Sequence, residues 1–320
     1  MDLSIIIVNW NSASLLRKCL ETVHACTKGI EFEVIVVDNA SFDDASEMVK
    51  SEFPAVKFVQ SAINLGFSRA NNLGAAGAQG RNLLFLNPDT EIVGSALRRM
   101  SSFLDMTWDA GIVGCKLLHT DMSVQTSCVQ PFPSILNQAL DVEFLRRAFP
   151  RFGLWGMQAI LRTDQKPAAV EVISGACLMI KSDVFRSVGQ FSSNYFMYAE
   201  DADLCFKTKQ AGFRAYYVGD VSVVHHGAGS SDTKPESNFA SVMMRESLLK
   251  FMRTQRGPVY ALAYQCSTVL IAALRLLLLV VAFPFTSGPY RRDSLRRTSA
   301  KWFKVLRWAL GMEAWAKQSA

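Results

Sequence analysis

Two carboxylates flank a threonine where an apolar run ends in Asn82-Leu-Leu-Phe-Leu-Asn-Pro-Asp-Thr-Glu91. Hard oxygen ligands of this kind suit a divalent cation that also holds phosphates. In extended chain Asp89 and Glu91, at i and i+2, project to the same side about 6.5–7 Å apart. A turn that is merely acidic is the plainer alternative. A second cluster, Glu200, Asp201 and Asp203, puts three acids within four residues. Like charges so close repel unless they cap a helix, bind cations or face different surroundings. Crowding that raises the pKa of one of them would suit it to take a proton from a hydroxyl as general base. The third candidate is the pair His225-His226, closing Val221-Ser-Val-Val-His-His-Gly227. A neutral imidazole could complete a metal's coordination. On extended chain adjacent side chains face opposite ways, so only one of the two is expected at a given site. A structural pair on an edge strand is the alternative. His24 and His119 have no such company.

These residues need elements to carry them. Leu83 to Leu86 lack polar alternation and predict a strand buried on both faces, with pairing stopped by Pro88. Leu3 to Val8 and Phe32 to Val37 give the same signal, and Val56 to Val59 a shorter one. Leu15, Leu16, Cys19, Leu20 and Val23 fall at helical spacing, as do Ala45, Met48 and Val49, with Ser41 or Asp43 as cap. A helix over about 67–78 precedes the fourth strand. This alternation predicts an α/β fold with a doubly wound, mostly parallel sheet and helices on both faces. Ligands of such sheets lie beyond the carboxyl ends of the strands. Three of those ends are polar: Asn9 and Asn11, Asp38 and Asn39, Asp89 and Glu91. Asp38 could accept hydrogen bonds from a base or ribose, or cap the next helix. Gly111 to Gly114 suggests a further strand. Val172 to Ile180 reads as a buried strand broken by Gly175, where a small residue permits close approach. Glu200, Asp201 and Asp203 fall in the first turn of a helix whose apolar face is Leu204, Cys205 and Ala211. Residues 131–155 read as a variable insertion.

Several classes are excluded. No G-x-G-x-x-G follows the first strand and no G-x-x-x-x-G-K-[ST] occurs, so neither the usual dinucleotide enzyme nor a P-loop ATPase is supported. Gly74, Gly77 and Gly80 come late in a helical pattern and read as helix exit and close packing. Seven cysteines without a C-x-x-C pair argue against a disulfide framework or zinc knuckle and for a reducing cytoplasm. Met1-Asp2 and the short run Ile5 to Val8 do not resemble a secretory signal. Between Arg291 and Lys317, eight basic residues against two acidic ones give +6, the net charge of the whole chain, so residues 1–290 sum to zero. The basic balance belongs to a tail and does not describe a nucleic-acid-binding face.

Ile5-Ile-Ile-Val-Asn-Trp-Asn11, Val36-Val-Asp-Asn-Ala-Ser41, Asn64-Leu-Gly-Phe-Ser-Arg-Ala-Asn-Asn72 and Leu86-Asn-Pro-Asp-Thr-Glu91, in that order, resemble the family 2 glycosyltransferases, especially their rhamnosyltransferase-like branch. The likeness covers roughly residues 3–230. It implies a GT-A fold, an inverting and metal-dependent transfer, and a donor that is a nucleoside-diphosphate sugar, dTDP- or UDP-linked. On that basis Asp38 matches the acid that contacts the base. Asn9, Asn11, Asn39, Asn64, Gly66, Arg69 and Asn72 fall in the nucleotide-binding stretches. Asp89 and Glu91 stand for the family's D-x-D pair, longer by one methylene, and would hold Mg2+ or Mn2+ with a histidine, His225 ahead of His226. Ser174, Gly175 and Ala176 lie beside sugar and acceptor. Asp201 is the general base, with Glu200 and Asp203 tuning or positioning it. A nucleotidyltransferase would need a basic pyrophosphate-gripping loop that Asn9-Trp10-Asn11 does not supply. A scaffold that binds nucleotide without chemistry is the rival from another class.

The expected division is a catalytic domain over 1–245 and a C-terminal helical appendage, hydrophobic and amphipathic, over 246–320. Gly257 to Tyr290 carries one charge, Arg275, and Pro258 to Phe283 spans 26 residues. As a helix that stretch covers a bilayer core of about 30 Å at ~1.5 Å per residue. Arg275 could instead break it into an interfacial segment. Trp302, Phe303, Leu306, Leu310 and Trp315 among basic residues resemble an in-plane helix on anionic lipid. A cytoplasmic protein held at the inner face of the membrane, acting on a glycan or lipid-linked acceptor, is the expectation. Packing on the catalytic domain or in a homo-oligomer is the alternative.

Overall fold

β1 (Leu3–Asn9) is a β-branched run buried along nearly its whole length, and it supplies the middle of a sheet rather than an edge. In the computed structural model, which describes residues 1–227, 239–285 and 288–318, strand and helix then alternate as the periodicity predicts. α1 (Ala13–Cys26), β2 (Phe32–Asp38), α2 (Ala45–Glu52), β3 (Lys57–Gln60), α3 (Gly66–Ala76) and β4 (Asn82–Leu86) follow in order. Next come β5 (Thr90–Ile92), α4 (Ala96–Met106), β6 (Ala110–Leu118), β7 (Val129–Gln130), α5 (Ile135–Ala139) and α6 (Glu143–Ala148). β8 (Ala168–Val170), β9 (Val172–Ile173), β10 (Cys177–Lys181), α7 (Ser182–Ser187), α8 (Glu200–Gln210) and β11 (Arg214–His225) complete the sheet-bearing part. α9 (Phe239–Arg256), α10 (Pro258–Ala282), α11 (Pro289–Ala309) and α12 (Trp315–Gln318) close the chain.

The sheet runs β3-β2-β1-β4-β10-β6-β11-β5, with β8 also on β11. β3, β2, β1 and β4 are parallel, and β6 is parallel to β11. β10 is antiparallel to both β4 and β6, so β6 runs in the same sense as β4. β5 and β8 run against β11. The consequence is functional: the carboxyl ends of β1, β2, β3, β4 and β11 and the amino end of β10 all open on one rim. Between β9 and β10 the run Val172–Lys181 breaks at Ser174–Ala176. The two pieces belong to different sheets, β9 pairing with β7.

The chain forms two compact units. The first comprises 1–132, 144–193 and 200–230; the second 133–143, 194–199 and 231–320. Residue 245 lies inside α9, a continuous helix. In the second unit, α10 packs on α11 through Ala272, Trp302 and Val305, and Trp308 Nε1 donates to Glu246 Oε2 of α9 at 2.8 Å. The Arg275 guanidinium lies 4.3 Å over the Trp302 ring and donates to the Asp141 carbonyl at 3.3 Å. Its charge is therefore turned inward. The helix expected over 301–315 instead ends at Ala309, with Gly311 at φ 79° before α12. Trp302 and Leu306 face α10 and not the outside.

Candidate active site

At the tips of β1 and β2 the polar side chains hold one another. Asn9 Nδ2 donates to Asp38 Oδ1 at 2.9 Å and to Ser41 Oγ at 3.1 Å. Gln60 Nε2 and the Ser41 amide donate to Asp38 Oδ2 at 2.7 and 3.0 Å. Burial opposes charge on Asp38, but these donors outweigh it and hold the carboxyl below its usual range. Asp38 thus ties its own loop and does not cap α2. Asn11, in the left-handed region at φ 51°, accepts from the Phe42 amide at 2.7 Å. Asn39 donates to Asn64 Oδ1 at 2.9 Å and accepts from the Leu65 amide at 2.7 Å. Gly66, at φ 76°, donates from its amide to Asn64 Oδ1 at 2.9 Å. One acceptor in this cluster, Asn9 Oδ1, is buried without a partner among the described residues.

The acid tip is arranged differently. Asp89 is buried in the turn after β4, and Glu91 lies within β5. The i, i+2 rule for extended chain therefore does not apply to them. Asp89 Oδ1 sits 3.3 Å from His225 Nε2, while Glu91 Oε1 is 2.7 Å from His226 Nε2. Each histidine thus meets a different acid, His225 at the last residue of β11 and His226 just past it. Gln125 fixes the His225 tautomer. Its amide nitrogen donates to the His225 carbonyl, so Oε1 is the atom that faces Nδ1 at 2.9 Å, and Nδ1 must carry hydrogen. In the neutral ring Nε2 then presents a lone pair to a carboxylate oxygen. A carboxylate oxygen and an imidazole nitrogen 3.3 Å apart, the imidazole oriented from behind by an amide, suit a cation between them. Asp89 and His225 thus fit a divalent ion as a partial ligand set. Among the described residues no three His, Cys, Asp or Glu side chains converge as a ready-made site.

The acids of α8 face three different surroundings, which relieves their repulsion. Asp201 Oδ2 accepts from the Gly175 amide at 3.0 Å and Oδ1 from the Ala202 amide at 2.8 Å. Burial raises its pKa, and those two hydrogen bonds only partly offset the rise. Glu200 is pushed up to about 8 by burial and then by the Asp201 charge, and its Oε2 is buried without a partner among the described residues. Asp203 accepts from Ser192 Oγ at 2.6 Å and lies 3.5 Å from Lys207 Nζ, so it fastens the chain ahead of α8. Tyr198 and Ala199, immediately before α8, have φ of 70° and 61°, a strained conformation for residues with Cβ. Turn Ser174–Ala176 joins the two acidic places. Gly175 holds Asp201, and the Ala176 carbonyl accepts from the Asn87 amide at 3.0 Å, two residues from Asp89. Asn87 Nδ2 in turn lies 3.4 Å from His225 Nε2. Ser174 Oγ accepts from the Ala176 amide at 3.3 Å and shapes the turn. A cavity of about 560 Å³, lined by Gln130, Gly156, Lys209 and Arg214, adjoins the start of β11, at the other end from His225.

The sequence model of Glycosyl transferase family 2 matches residues 4–189. The chain belongs to this family. A glycosyltransferase of Mycobacterium tuberculosis, the N-acetylglucosaminyl-diphospho-decaprenol L-rhamnosyltransferase, is 27% identical over 250 residues, 75% of this chain and 80% of its own length. Rhamnosyltransferase WbbL of Escherichia coli K12 is 24% identical over 69% of this chain and 82% of its own. Among solved structures, the mannosyltransferase PcManGT of Pyrobaculum calidifontis, in complex with GDP-Man and Mn2+, superposes with TM-score 0.58 at 18% identity. That match covers 99% of this chain and 85% of the mannosyltransferase. TarS of S. aureus, residues 1–349, matches with TM-score 0.52 at 16% identity over 99% and 92%. The fold is that of the GT-A glycosyltransferases.

Within this glycosyltransferase the motif stretches do not all point into the rim. Asn72 uses both amide atoms on the backbone of Phe191, at 2.8 and 3.1 Å. Arg69 Nε donates to the Ser193 carbonyl at 3.0 Å. Residues that the motifs did not single out carry part of the site: Gln60 on Asp38 and Gln125 on His225. His119 has company after all, its Nδ1 being 3.1 Å from Gln125 Nε2. Gln60 could have been found at the tip of a strand; Gln125 sits in a stretch with no periodic signal.

Proposed function

We propose that this glycosyltransferase moves a hexose, L-rhamnose foremost, from a dTDP- or UDP-linked donor to a hydroxyl of a lipid-linked or polysaccharide acceptor, with inversion. The names of the relatives support the sugar and the acceptor class. The observation that carries the reaction is turn Ser174–Ala176, which has Asp201 on one side and the Asp89 loop on the other. A hydroxyl bound beside Gly175 gives its proton to Asp201, its oxygen bonds to the anomeric carbon, and the bond from that carbon to the diphosphate oxygen breaks. Burial suits Asp201 to the task, because a raised pKa makes a stronger base. Glu200, pushed up to about 8, keeps its proton at neutral pH, so the pair carries one charge rather than two. Asp89 and His225 would hold Mg2+ or Mn2+, and the ion would neutralise the charge left on the nucleoside diphosphate. We assign the nucleoside to Asn9, Asn11, Asp38, Asn39, Asn64 and Gly66. The apolar outward side of α10 supports attachment to the inner face of a membrane, where a lipid-linked acceptor would be met.

The test is turnover across a panel of dTDP- and UDP-sugars with Asp201→Asn. A base role expects a fall of about 10²–10⁴ in rate with nucleotide binding, read by thermal stabilisation, kept. A variant as active as the parent would remove Asp201 from the chemistry, and a protein that binds without turning over any donor would be a scaffold.

A further inference from the structure

Val259, Leu262, Cys266, Leu270, Leu274 and Leu277 recur every three or four residues on the outward side of α10, and all are exposed. The stripe continues to Phe285 without a charge, and Leu270 and Val280 are 71% and 69% exposed. Contiguous apolar surface of that length marks a docking face. The inward side is closed by Ala261, Tyr264, Thr268 and Ala272, and Arg275 is drawn onto Trp302. α11 returns antiparallel beside α10: Gln265 Nε2 donates to the Ala309 carbonyl at 2.8 Å, and Ala272 meets Trp302 and Val305 further on. Exposed on α11 are Arg291, Arg292, Arg296, Arg297 and Lys301, with Asp293 as its one acid. If α10 crossed a bilayer, α11 would carry that row of charge into hydrocarbon. At a leaflet surface the same row meets anionic headgroups.

We propose that α10 and α11 embed in the plane of an anionic leaflet, α10 sinking its outward stripe to the level where headgroups meet acyl chains, and that α10 does not span. This deepens the membrane attachment read above and rests on it. Full-length protein with Cys26→Ser, keeping Cys266 or carrying Cys266→Ser with Val259→Cys or Val281→Cys, is given an environment-sensitive thiol label. It is mixed with phosphatidylglycerol and phosphatidylcholine vesicles holding acyl chains brominated at known depths. In-plane embedding expects all three labels at one shallow depth. It also expects flotation to fall about tenfold when phosphatidylglycerol is omitted or Leu274→Glu and Leu278→Glu are combined. Both leucines are exposed, so the melting temperature stays put and the loss is not unfolding. A steady change of depth along α10, positions 259 and 281 being about 33 Å apart on a helix, overturns the in-plane mode and leaves attachment standing. Failure to float, with a reversible dimer that shields Cys266, overturns both and makes the stripe a self-association face.

Discussion

At the tips of β1, β2 and β3 polar atoms have found one another: Asp38 takes Asn9, Ser41 and Gln60, and Asn39 and Asn64 close the next loop. At the tips of β4 and β11, and at the start of α8, two groups depart from that pattern. His225 Nε2 faces Asp89 Oδ1, and Glu200 Oε2 is buried alone. The first region is held together before any ligand arrives, with Asn9 Oδ1 its one unpartnered acceptor among the described residues, so it supplies shape with little reorganisation. The second sets a carboxylate beside an imidazole and leaves one buried carboxyl oxygen without a partner, an arrangement that a cation or a proton would complete. The rim is thus rigid where it would recognise and unsatisfied where it would react.

Four measurements test that contrast, beginning with the largest expected effect. Chelation, or Asp89→Ala, should cut transfer by about 10²–10³, as loss of charge stabilisation does elsewhere, with Mn2+ restoring the chelated enzyme but not the variant. A rate indifferent to both would erase the distinction between the two regions. Gln125→Leu frees the His225 tautomer and should weaken Mn2+ binding, followed by electron paramagnetic resonance, about 10–100-fold, with Gln125→Glu milder because an acceptor for Nδ1 remains. Asp38→Ala strands three donors and should cost about 1–3 kcal/mol in urea denaturation, raising the donor KM more than it lowers kcat. Equal loss in both parameters would mean that the first region also takes part in chemistry.

The smallest effect concerns pH. The folded chain keeps on Glu200, at about 8, a proton that the unfolded chain releases near 4.5. The native state then binds more protons than the unfolded state, so stability is highest below that window and declines as pH rises through it. Glu200→Gln should flatten the melting temperature measured between pH 5 and pH 8. An unchanged slope would place the titration elsewhere.

How much of this could be read in advance depends on distance along the chain. Leu83–Leu86 and Leu3–Val8 declare buried strands through composition alone, and Asn9, Asp38 and Asp89 stand at strand ends where the sheet's topology sends them. Local periodicity carries that much. Pairings made over long separations were hidden. Gln125 meets a histidine 100 residues later, and Asn72 is consumed by Phe191, 119 residues on. Alternation also misled where it was extended across the turn that separates Asp89 from Glu91. In the tail, hydropathy showed the stripe, but only packing revealed that Arg275 turns away from it.

The anchor of Asp201 is a main-chain amide. A methyl added at Gly175 would meet Phe67 and the Asp201 Cβ at an ordinary 3.5–3.6 Å, so the position tolerates alanine on steric grounds. Proline alone among the common residues lacks the hydrogen that Asp201 accepts. Alanine scanning would therefore pass over this contact in silence, and the support of Asp201 is written in a part of the polymer that most codon changes leave untouched.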